Sequence, residues 1–259
     1  MRLPLALRRA LSRVVGHLRV RIQAGPNAGA RWSLSAAGRH RTGRFEVDRM
    51  DAILALLRRG DCVWDIGAHH GYVTLAASSA VGPQGHVYAF EPSGYNYDYL
   101  IRHLRWNQRS NASPVNVGVA AAPGWVEFGG SGSSQTFHIG GGSERVEVTS
   151  IKQMMDGRFG RPDFVKIDVE GAEGSILDGG ARHLPRSAAV VVSIHSRENY
   201  KMCVSALKAG GFQVYASEGA RRIRHVDEPV TDDPDLIALG EGRRDLESVV
   251  RQLPGFSEA

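Results

Sequence analysis

Short apolar segments alternate with amphipathic helical segments along most of this chain. Segments with the length and character of buried parallel strands are Cys62 to Ile66, His86 to Phe90, Phe164 to Ile167 and Ala188 to Ile194. The residues from Asp48 to Arg59 instead place their apolar side chains at helical spacing. This alternation predicts an α/β fold: a doubly wound, mostly parallel seven-stranded sheet with helices on both faces.

The same periodicities predict the remaining elements. Further helices are expected from the turn after Gly71 through Ala80, from Gly94 to Asn107, from Glu173 to about Leu184 and from Tyr200 to Ala209. Further strands are expected at Pro114 to Val119, at Phe212 to Tyr215 and, antiparallel to the others, at Asp235 to Leu239. A hairpin-like pair, Trp125 to Phe128 and Arg145 to Val148, flanks the loop from Gly129 to Ser143, which is too rich in Gly and Ser to pack a core.

The N-terminal segment has a pattern of its own. Leu7, Leu11, Val14 and Leu18 recur at helical spacing and predict an N-terminal helical extension, followed by a loop or weak β arm over residues 25–43. Residues 1–45 contain ten Arg and no Asp or Glu, so the remaining 22 Lys and Arg face all 27 acids. We therefore divide the chain into a basic N-terminal arm (1–45), a main domain (46–240) and a C-terminal helix or tail (241–259).

Charge and composition narrow the partners and the location. The basic arm fits a helix docked on the domain, a peripheral contact with anionic lipid, or a targeting segment. The mildly acidic remainder argues against a nucleic-acid partner, because such proteins place positive charge on the binding face. No apolar run approaches ~18 residues, so no transmembrane segment is expected. Two cysteines without C-x-x-C spacing favour a reduced, cytoplasmic protein. The sequence leaves open whether the protein forms a homo-oligomer.

The segment from Cys62 to Glu91 has the layout of a nucleoside-binding βαβ unit. A strand leads into a turn bounded by Gly67 and Gly71, and Glu91 ends the second strand ~20 residues beyond the turn. Small residues let the backbone approach a ligand, and Glu91 can accept hydrogen bonds from both ribose hydroxyls. The turn lacks the G-x-G-x-x-G of dinucleotide oxidoreductases. Asp65 before it would repel a pyrophosphate but suits the ammonium and sulfonium of S-adenosylmethionine.

These motifs resemble those of the FkbM family of S-adenosylmethionine-dependent methyltransferases. The matching residues are Val63 to Tyr72 (VWDIGAHHGY), Phe90-Glu91-Pro92 and Phe164 to Glu173 (FVKIDVEGAE), with Asn107, Gly124 and Gly43 to Glu46 in support. The resemblance covers about residues 43–216 and implies a class I, Rossmann-like methyltransferase domain at 46–240. The departures from the family pattern are His69 for Asn, Ile151-Lys152 for Leu-Asp, and Ser193 for Glu.

Ligands of open α/β sheets bind at the carboxyl ends of the strands. Polar residues end the first, second, fourth and fifth predicted parallel strands: Asp65, Glu91, Asp168 and His195. The predicted cofactor-binding residues are Asp65, Gly67, Ala68, Gly71, Glu91, Pro92, Ser93, Asn116 and Asp168.

The predicted catalytic residues are His195, Asp168 and Glu170. A hydroxyl acceptor must lose its proton, and the imidazole of His195 titrates near neutrality, which makes it the candidate general base. Asp168 and Glu170 are separated by one residue and could hold the cofactor's amine, orient His195 or bind magnesium through oxygen ligands. His70 and His138 are alternative bases.

Two further charged residues near these motifs have more ordinary interpretations. Glu173 opens a predicted helix, where a carboxylate favours the helix N-terminus, so a capping role is at least as well supported as a catalytic one. Lys166 points away from the face that carries Ile167, and we assign it a structural role.

The leading hypothesis is an O-methyltransferase that acts on a hydroxyl of a sugar or another small molecule. An RNA or DNA methyltransferase would carry an Asn/Asp-Pro-Pro-aromatic loop after the fourth strand for a flipped base, where this chain has Val169-Glu170-Gly171. A non-catalytic S-adenosylmethionine-binding protein would explain Lys152 and Ser193 but not Asp168, Glu170 and His195. A dinucleotide oxidoreductase is the last alternative.

Overall fold

The computed structural model describes residues 16–36, 38–129, 138–139, 144–216, 221–222 and 235–253. Its strands are β1 (Arg19–Arg21), β2 (Arg31–Ser33), β3 (Cys62–Ile66), β4 (His86–Phe90), β5 (Ala112–Val115), β6 (Gly118–Val119), β7 (Gly124–Gly129), β8 (His138–Ile139), β9 (Glu144–Thr149), β10 (Phe164–Ile167), β11 (Ala189–Ser193), β12 (Gln213–Ala216), β13 (Arg221–Arg222) and β14 (Asp235–Leu239). Its helices are α1 (Gly38–Arg41), α2 (Val47–Leu56), α3 (Tyr72–Val81), α4 (Gly94–Trp106), α5 (Ile151–Asp156), α6 (Glu173–Gly180), α7 (Arg197–Ala209) and α8 (Glu247–Val250).

The central sheet has the strand order β13-β12-β14-β11-β10-β3-β4-β5. The five strands from β11 to β5 are parallel, and β14 runs antiparallel between β11 and β12. The predicted doubly wound, mostly parallel seven-stranded sheet is therefore confirmed, with the two-residue β13 as an additional edge strand. The central strands are apolar because both sheet faces are covered; every residue of β10 and of β11 is buried.

Helices cover both faces of this sheet, as predicted. Val165 and Ile167 of β10 belong to one apolar cluster, which also contains Leu177 of α6. Phe164 belongs to the cluster on the opposite face, together with Ile53 of α2. The alternation along β10 leaves Lys166 on the Phe164 face, so a charged residue lies within a buried strand.

The strand predicted from Pro114 to Val119 is divided between two sheets. β5 ends the central sheet, whereas β6 joins a second sheet with the order β6-β9-β7-β8. The division falls at Asn116, whose amide donates to the carbonyl oxygens of Glu91 and Pro92 and turns the chain away. The predicted hairpin is confirmed as the antiparallel pair β7 and β9, while most of the loop from Gly129 to Ser143 lies outside the described residues.

The described part of the N-terminal segment packs into the domain. β1 and β2 form an antiparallel hairpin, and Trp32 is fully buried, with its ring stacked 3.7 Å from that of His103 in α4. The helical prediction is wrong at its end, because Leu18 is 53% exposed and directly precedes β1. Leu7, Leu11 and Val14 lie outside the described residues. The division of the chain at residue 45 stays a prediction.

Several helix bounds differ from their predictions for local reasons. α2 ends at Leu56 and not at Arg59, because Leu57 is extended and Asp61 accepts a hydrogen bond from the Arg58 N–H. α7 begins earlier than predicted, where Ser196 caps it by accepting from the Asn199 N–H. The C-terminal segment forms a 3-10 helix over Glu241–Leu246 followed by α8.

Two composition-based predictions concern the environment of the protein. No helix in the part of the chain that the structure describes is both long and apolar enough to cross a membrane. The thiols of Cys62 and Cys203 are both free.

Candidate active site

A cavity of about 530 Å³ opens at the carboxyl ends of β3, β4, β10 and β11, a volume within the range of small-molecule sites. The predicted site residues that line it are Gly67, Ala68, Glu91, Pro92, Asp168, Glu170 and His195. Those that do not are Asp65, Gly71, Ser93 and Asn116. The structure thus brings the candidate base and the candidate ribose carboxylate into one cavity.

The glycine turn between β3 and α3 requires its small residues. Gly67 has φ of 78°, and a Cβ there would lie 1.9 Å from the carbonyl oxygen of Asp168. Gly71 has φ of 85°, and a Cβ would lie 2.6 Å from Cδ1 of Leu100. At Gly67 only glycine fits both the backbone angle and the space, whereas at Gly71 the backbone angle is the main constraint. Gly67 therefore shapes the cavity floor, whereas Gly71 fixes the start of α3.

Glu91 presents a buried carboxylate to the cavity. Its Oε2 accepts from the His69 N–H at 2.7 Å and its Oε1 accepts from the Ser93 N–H at 2.9 Å. Burial raises the pKa of Glu91 to about 7, against the lowering effect of these hydrogen bonds and of Asn96. Near neutral pH the carboxylate is therefore poised to gain from a ligand that donates further hydrogen bonds.

Ser93 and Asn116 lie beside this carboxylate but hold the backbone. Ser93 is fully buried, and its Oγ accepts from the Asn96 N–H in the first turn of α4. Asn116 is exposed, and its amide donates to the carbonyls of Glu91 and Pro92 at 2.8 and 3.1 Å. Both side chains keep the loop after β4 in place, and cofactor contact by either one stays a prediction.

Asp65 lies beneath the cavity, which corrects the expectation that it contacts a ligand directly. Its side chain is fully buried; Oδ2 accepts from Thr74 Oγ1 at 2.6 Å, and Oδ1 lies 3.3 Å from Lys166 Nζ. Adjacent in-register strands explain the pair, because Asp65 of β3 is the parallel partner of Lys166 in β10. Side chains paired in this way project from the same face of the sheet.

Lys166 connects this buried pair to the cavity. Its Nζ donates to the carbonyl oxygen of Gly67 at 2.8 Å and lies 3.6 Å from Asp168, and the residue lines the cavity. Burial opposes the charged form, but Asp65 and Asp168 raise the pKa of Lys166 above its ordinary value. The structural role predicted for Lys166 is thus extended: its ammonium holds two acids and the glycine turn together.

His195 is held by a buried carboxylate on α6. Its Nδ1 donates to Oε1 of Glu173 at 2.6 Å, and the same oxygen accepts from the Gly171 N–H at 3.0 Å. Glu173 is fully buried. The hydrogen bond that His195 donates to Glu173 raises the pKa of His195 to about 9, despite the opposing effect of burial. Glu173, the first residue of α6, therefore fixes the imidazole and also holds the backbone of Gly171. The sequence alone could not separate a role at the helix start from a role at His195.

The other imidazole nitrogen, Nε2 of His195, faces two carboxylates. It lies 3.6 Å from Asp168 and 3.7 Å from Glu170. Burial raises the pKa of Asp168, but Lys166, Arg49 and His195 together lower it below its ordinary value. The Nε2 atom consequently sits in a negative field that favours a proton on it.

The predicted magnesium site on Asp168 and Glu170 is not supported. Among the residues that the structure describes, no group of three or more His, Cys, Asp and Glu side chains could hold a metal ion. Two cationic side chains already flank Asp168, with Lys166 Nζ at 3.6 Å and Arg49 Nη1 at 3.9 Å. A divalent ion on this carboxylate would meet both positive charges.

Of the two alternative bases, the structure places His70 away from the cavity lining. His70 is buried, does not line the cavity and has its ring stacked 3.9 Å from that of His69. Burial lowers the pKa of His70 well below its ordinary value. The backbone of His138 belongs to β8, and its side chain lies outside what the structure describes.

Of the four described residues other than glycine that have positive φ, all but Gln108 line the cavity. Glu46, His69 and Glu170 have φ values of 47°, 50° and 50°, in the left-handed region that side chains other than glycine rarely adopt. All three residues line the cavity. Strained residues of this kind persist when the surrounding structure holds them, and they cluster at functional sites.

Comparison with known proteins agrees with this geometry. The model of the methyltransferase FkbM domain matches residues 65–224, which is more than half of the chain. The protein belongs to the FkbM methyltransferase family. The resemblance of the sequence motifs to this family is thereby confirmed.

The individual proteins that this chain resembles share little sequence identity with it. The chain is 27% identical over 157 residues to the hexuronic acid methyltransferase AglP of Haloferax volcanii, a match that covers 59% of this chain and 64% of AglP. A precorrin-6y C5,15-methyltransferase from Geobacter metallireducens aligns with a TM-score of 0.49 and 17% identity, over 76% of this chain and 90% of that one. An S-adenosylmethionine-dependent O-methyltransferase from Thermotoga maritima aligns with a TM-score of 0.47 and 12% identity, over 75% and 63% of the two chains.

The departures from the FkbM pattern fall mostly away from the cavity. Ile151 is fully buried and Lys152 is exposed on α5, and neither lines the cavity. Ser193 is buried in β11 opposite Asp235 and does not line it either. His69 lines the cavity, and its N–H donates to Glu91. Of these departures, only His69 is therefore in a position to affect a ligand.

One wall of the cavity comes from residues that precede the FkbM match. Its members are Arg39, His40, Phe45, Glu46 and Arg49. Arg49 links this wall to the strand ends, with ion pairs to Glu46 at 2.6 Å and Asp235 at 2.9 Å. Only one sequence feature pointed to this wall: the segment from Gly43 to Glu46 resembles the one that leads into the family domain.

Proposed function

We propose that the protein transfers a methyl group from S-adenosylmethionine to a hydroxyl of a sugar or similar small molecule. Membership of the FkbM family supports the methyl transfer. The hexuronic acid named for the relative AglP supports a sugar acceptor, although the match spans 64% of that protein. The observation that carries the proposal is the joint placement of Glu91 and the Glu173-held His195 in one cavity.

The chain's residues divide the cavity into two functional parts. Glu91 would accept from the ribose hydroxyls of S-adenosylmethionine, and the close turn at Gly67 and Ala68 would admit its nucleoside. Asp168, at the end of β10, lines the cavity, whereas Asp65 is buried beneath it. Asp168 would therefore be the acid that binds the cofactor's amine. When bound, S-adenosylmethionine supplies an electrophilic methyl group on a positively charged sulfur.

The acceptor hydroxyl would lie at Nε2 of His195. Because Nδ1 carries the proton that binds Glu173 at 2.6 Å, Nε2 of the neutral ring has the free lone pair that takes the acceptor's proton. Glu173, Asp168 and Glu170 stabilise the imidazolium that results. Positioning and proton removal are the contributions expected of the protein, since the substitution itself requires no charge to be created at sulfur.

The direct test is a screen for methylated product. The protein is incubated with methyl-labelled S-adenosylmethionine and paired acceptors: glycosides of hexuronic acids, the matching neutral hexosides, and short RNA and DNA oligomers. We expect label in a sugar product and none in nucleic acid. Label in the oligomers alone would contradict the proposed acceptor class, and cofactor binding without label in any acceptor would favour the non-catalytic alternative. A cytoplasmic location, a homo-oligomer and membrane contact by the N-terminal arm (1–45) stay predictions.

A further inference from the structure

Residues between 38 and 46 line a second, more open cavity next to the active site. It encloses about 420 Å³ and is lined by Gly38, Arg39, Thr42, Arg44, Phe45 and Glu46. We call this cavity the side groove. Arg39, Phe45 and Glu46 also line the active-site cavity, so the two spaces adjoin along these residues. The side groove lies outside residues 65–224, and the FkbM match therefore assigns it no role.

The side groove combines positive charge with an aromatic face. The guanidinium of Arg39 lies 5.3 Å from the centre of the Phe45 ring, and the exposed Arg44 lines the groove from the same segment. The one acid of the lining, Glu46, is already in an ion pair with Arg49 at 2.6 Å. The groove thus offers the exposed guanidinium of Arg44 to a ligand, while the charge of its acid is compensated from α2.

This chemistry selects a type of ligand. Guanidinium groups bind carboxylates and phosphates through paired, charge-assisted hydrogen bonds. The face of an aromatic ring offers a packing surface for the C–H groups of a sugar ring. Since Arg39, Phe45 and Glu46 line both spaces, a saccharide that extends from the active-site cavity along these residues would place its next group in the groove.

We propose that the side groove binds an anionic group, a carboxylate or a phosphate, on the acceptor whose hydroxyl lies at His195. The inference rests on the proposed function, because it takes the acceptor to occupy the active-site cavity. The preferred acceptor is then an acidic saccharide or a sugar phosphate, and Arg44 determines specificity without contact with the reacting atoms.

Binding without turnover tests the groove separately from the reaction. The full chain is saturated with S-adenosylhomocysteine and titrated with methyl glucuronide and methyl galacturonide, with glucose 6-phosphate and glucose 1-phosphate, and with methyl glucoside as the neutral probe. We expect an anionic probe to bind more tightly than the neutral one, and the carboxylate and phosphate arms show which anion is preferred. Arg44→Ala should weaken that anionic probe about three- to tenfold and leave methyl glucoside and S-adenosylhomocysteine unchanged.

Arg41→Ala is the matched control, because it removes the same charge from the same segment at a residue that lines neither cavity. It should leave the anionic probe unchanged. Equal weakening by the two variants would show a general effect of charge and overturn the groove, as would a wild-type protein that binds no anionic probe more tightly than methyl glucoside. Failure of S-adenosylhomocysteine to bind would instead overturn the proposed function, so the two failures are distinguishable.

Discussion

Replacement of His195 by alanine should lower kcat by about 10²- to 10⁴-fold, the range that a general base contributes. Glu173 fixes the imidazole of His195 in the cavity lining, and Nε2 is the nitrogen that we assign to the acceptor's proton. The affinity for S-adenosylhomocysteine should stay unchanged, because Glu91 and the glycine turn are untouched. Single-turnover rates with labelled methyl donor measure the first effect, and calorimetry measures the second.

His183→Ala is the control, since His183 lies in a 3-10 turn and does not line the cavity.

Glu173→Gln adds a sharper test. In the wild type the base is the neutral imidazole, so kcat/KM should rise with pH up to the His195 pKa of about 9. The glutamine can still accept from Nδ1 but carries no charge, so the midpoint of this rise should move to lower pH. A wild-type rate in His195→Ala would show that another residue is the general base. An unmoved midpoint in Glu173→Gln would show that Glu173 does not raise the pKa of that base.

Replacement of Lys166 by methionine should destabilise the protein by about 3–5 kcal/mol, the cost of leaving buried charges uncompensated. Lys166 lies 3.3 Å from Asp65 and 3.6 Å from Asp168, and Asp65 has no access to solvent. The variant also loses the hydrogen bond to the Gly67 carbonyl. Denaturant unfolding of the wild type and the variant measures the difference in free energy of unfolding.

Lys152→Met makes the same chemical change at an exposed position on α5 and should alter stability by no more than about 0.5 kcal/mol. The double variant Lys166→Met with Asp65→Asn should recover part of the loss, because it removes the buried charge that the single variant leaves unpaired. A loss below about 1 kcal/mol in Lys166→Met would show that the ammonium is not required to hold these acids.

The strands of the central sheet were the most predictable part of the fold. The bounds of β3, β4, β10 and β14 match their predictions residue for residue, because each is a short apolar run closed by glycine or polar residues. The same regularity placed Glu91, Asp168 and His195 at strand ends, and the parallel sheet then brought them to one edge.

The parts that the sequence did not reveal depend on contacts between distant residues. Trp32 packs on His103, 71 positions along the chain, so local periodicity indicated only a loop or weak strand around it. The position of Asp65 depends on the strand order, which pairs it with Lys166 and buries both. Seen along the chain alone, Asp65 had the same pattern as the strand-end acids that do reach the cavity.

The most direct test of the account is the affinity for S-adenosylhomocysteine as a function of pH. Ribose hydroxyls donate to the ionised carboxylate of Glu91, whose pKa in the free protein is about 7. Below that pKa, Glu91 must lose its proton before it can accept these hydrogen bonds, and this loss costs binding free energy. The Kd should therefore rise about tenfold from about pH 8 to about pH 6. Glu91→Gln should bind more weakly and lose this pH dependence. Wild-type affinity that is equal at both pH values, or retained in Glu91→Gln, would contradict the assignment of this cavity to the methyl donor.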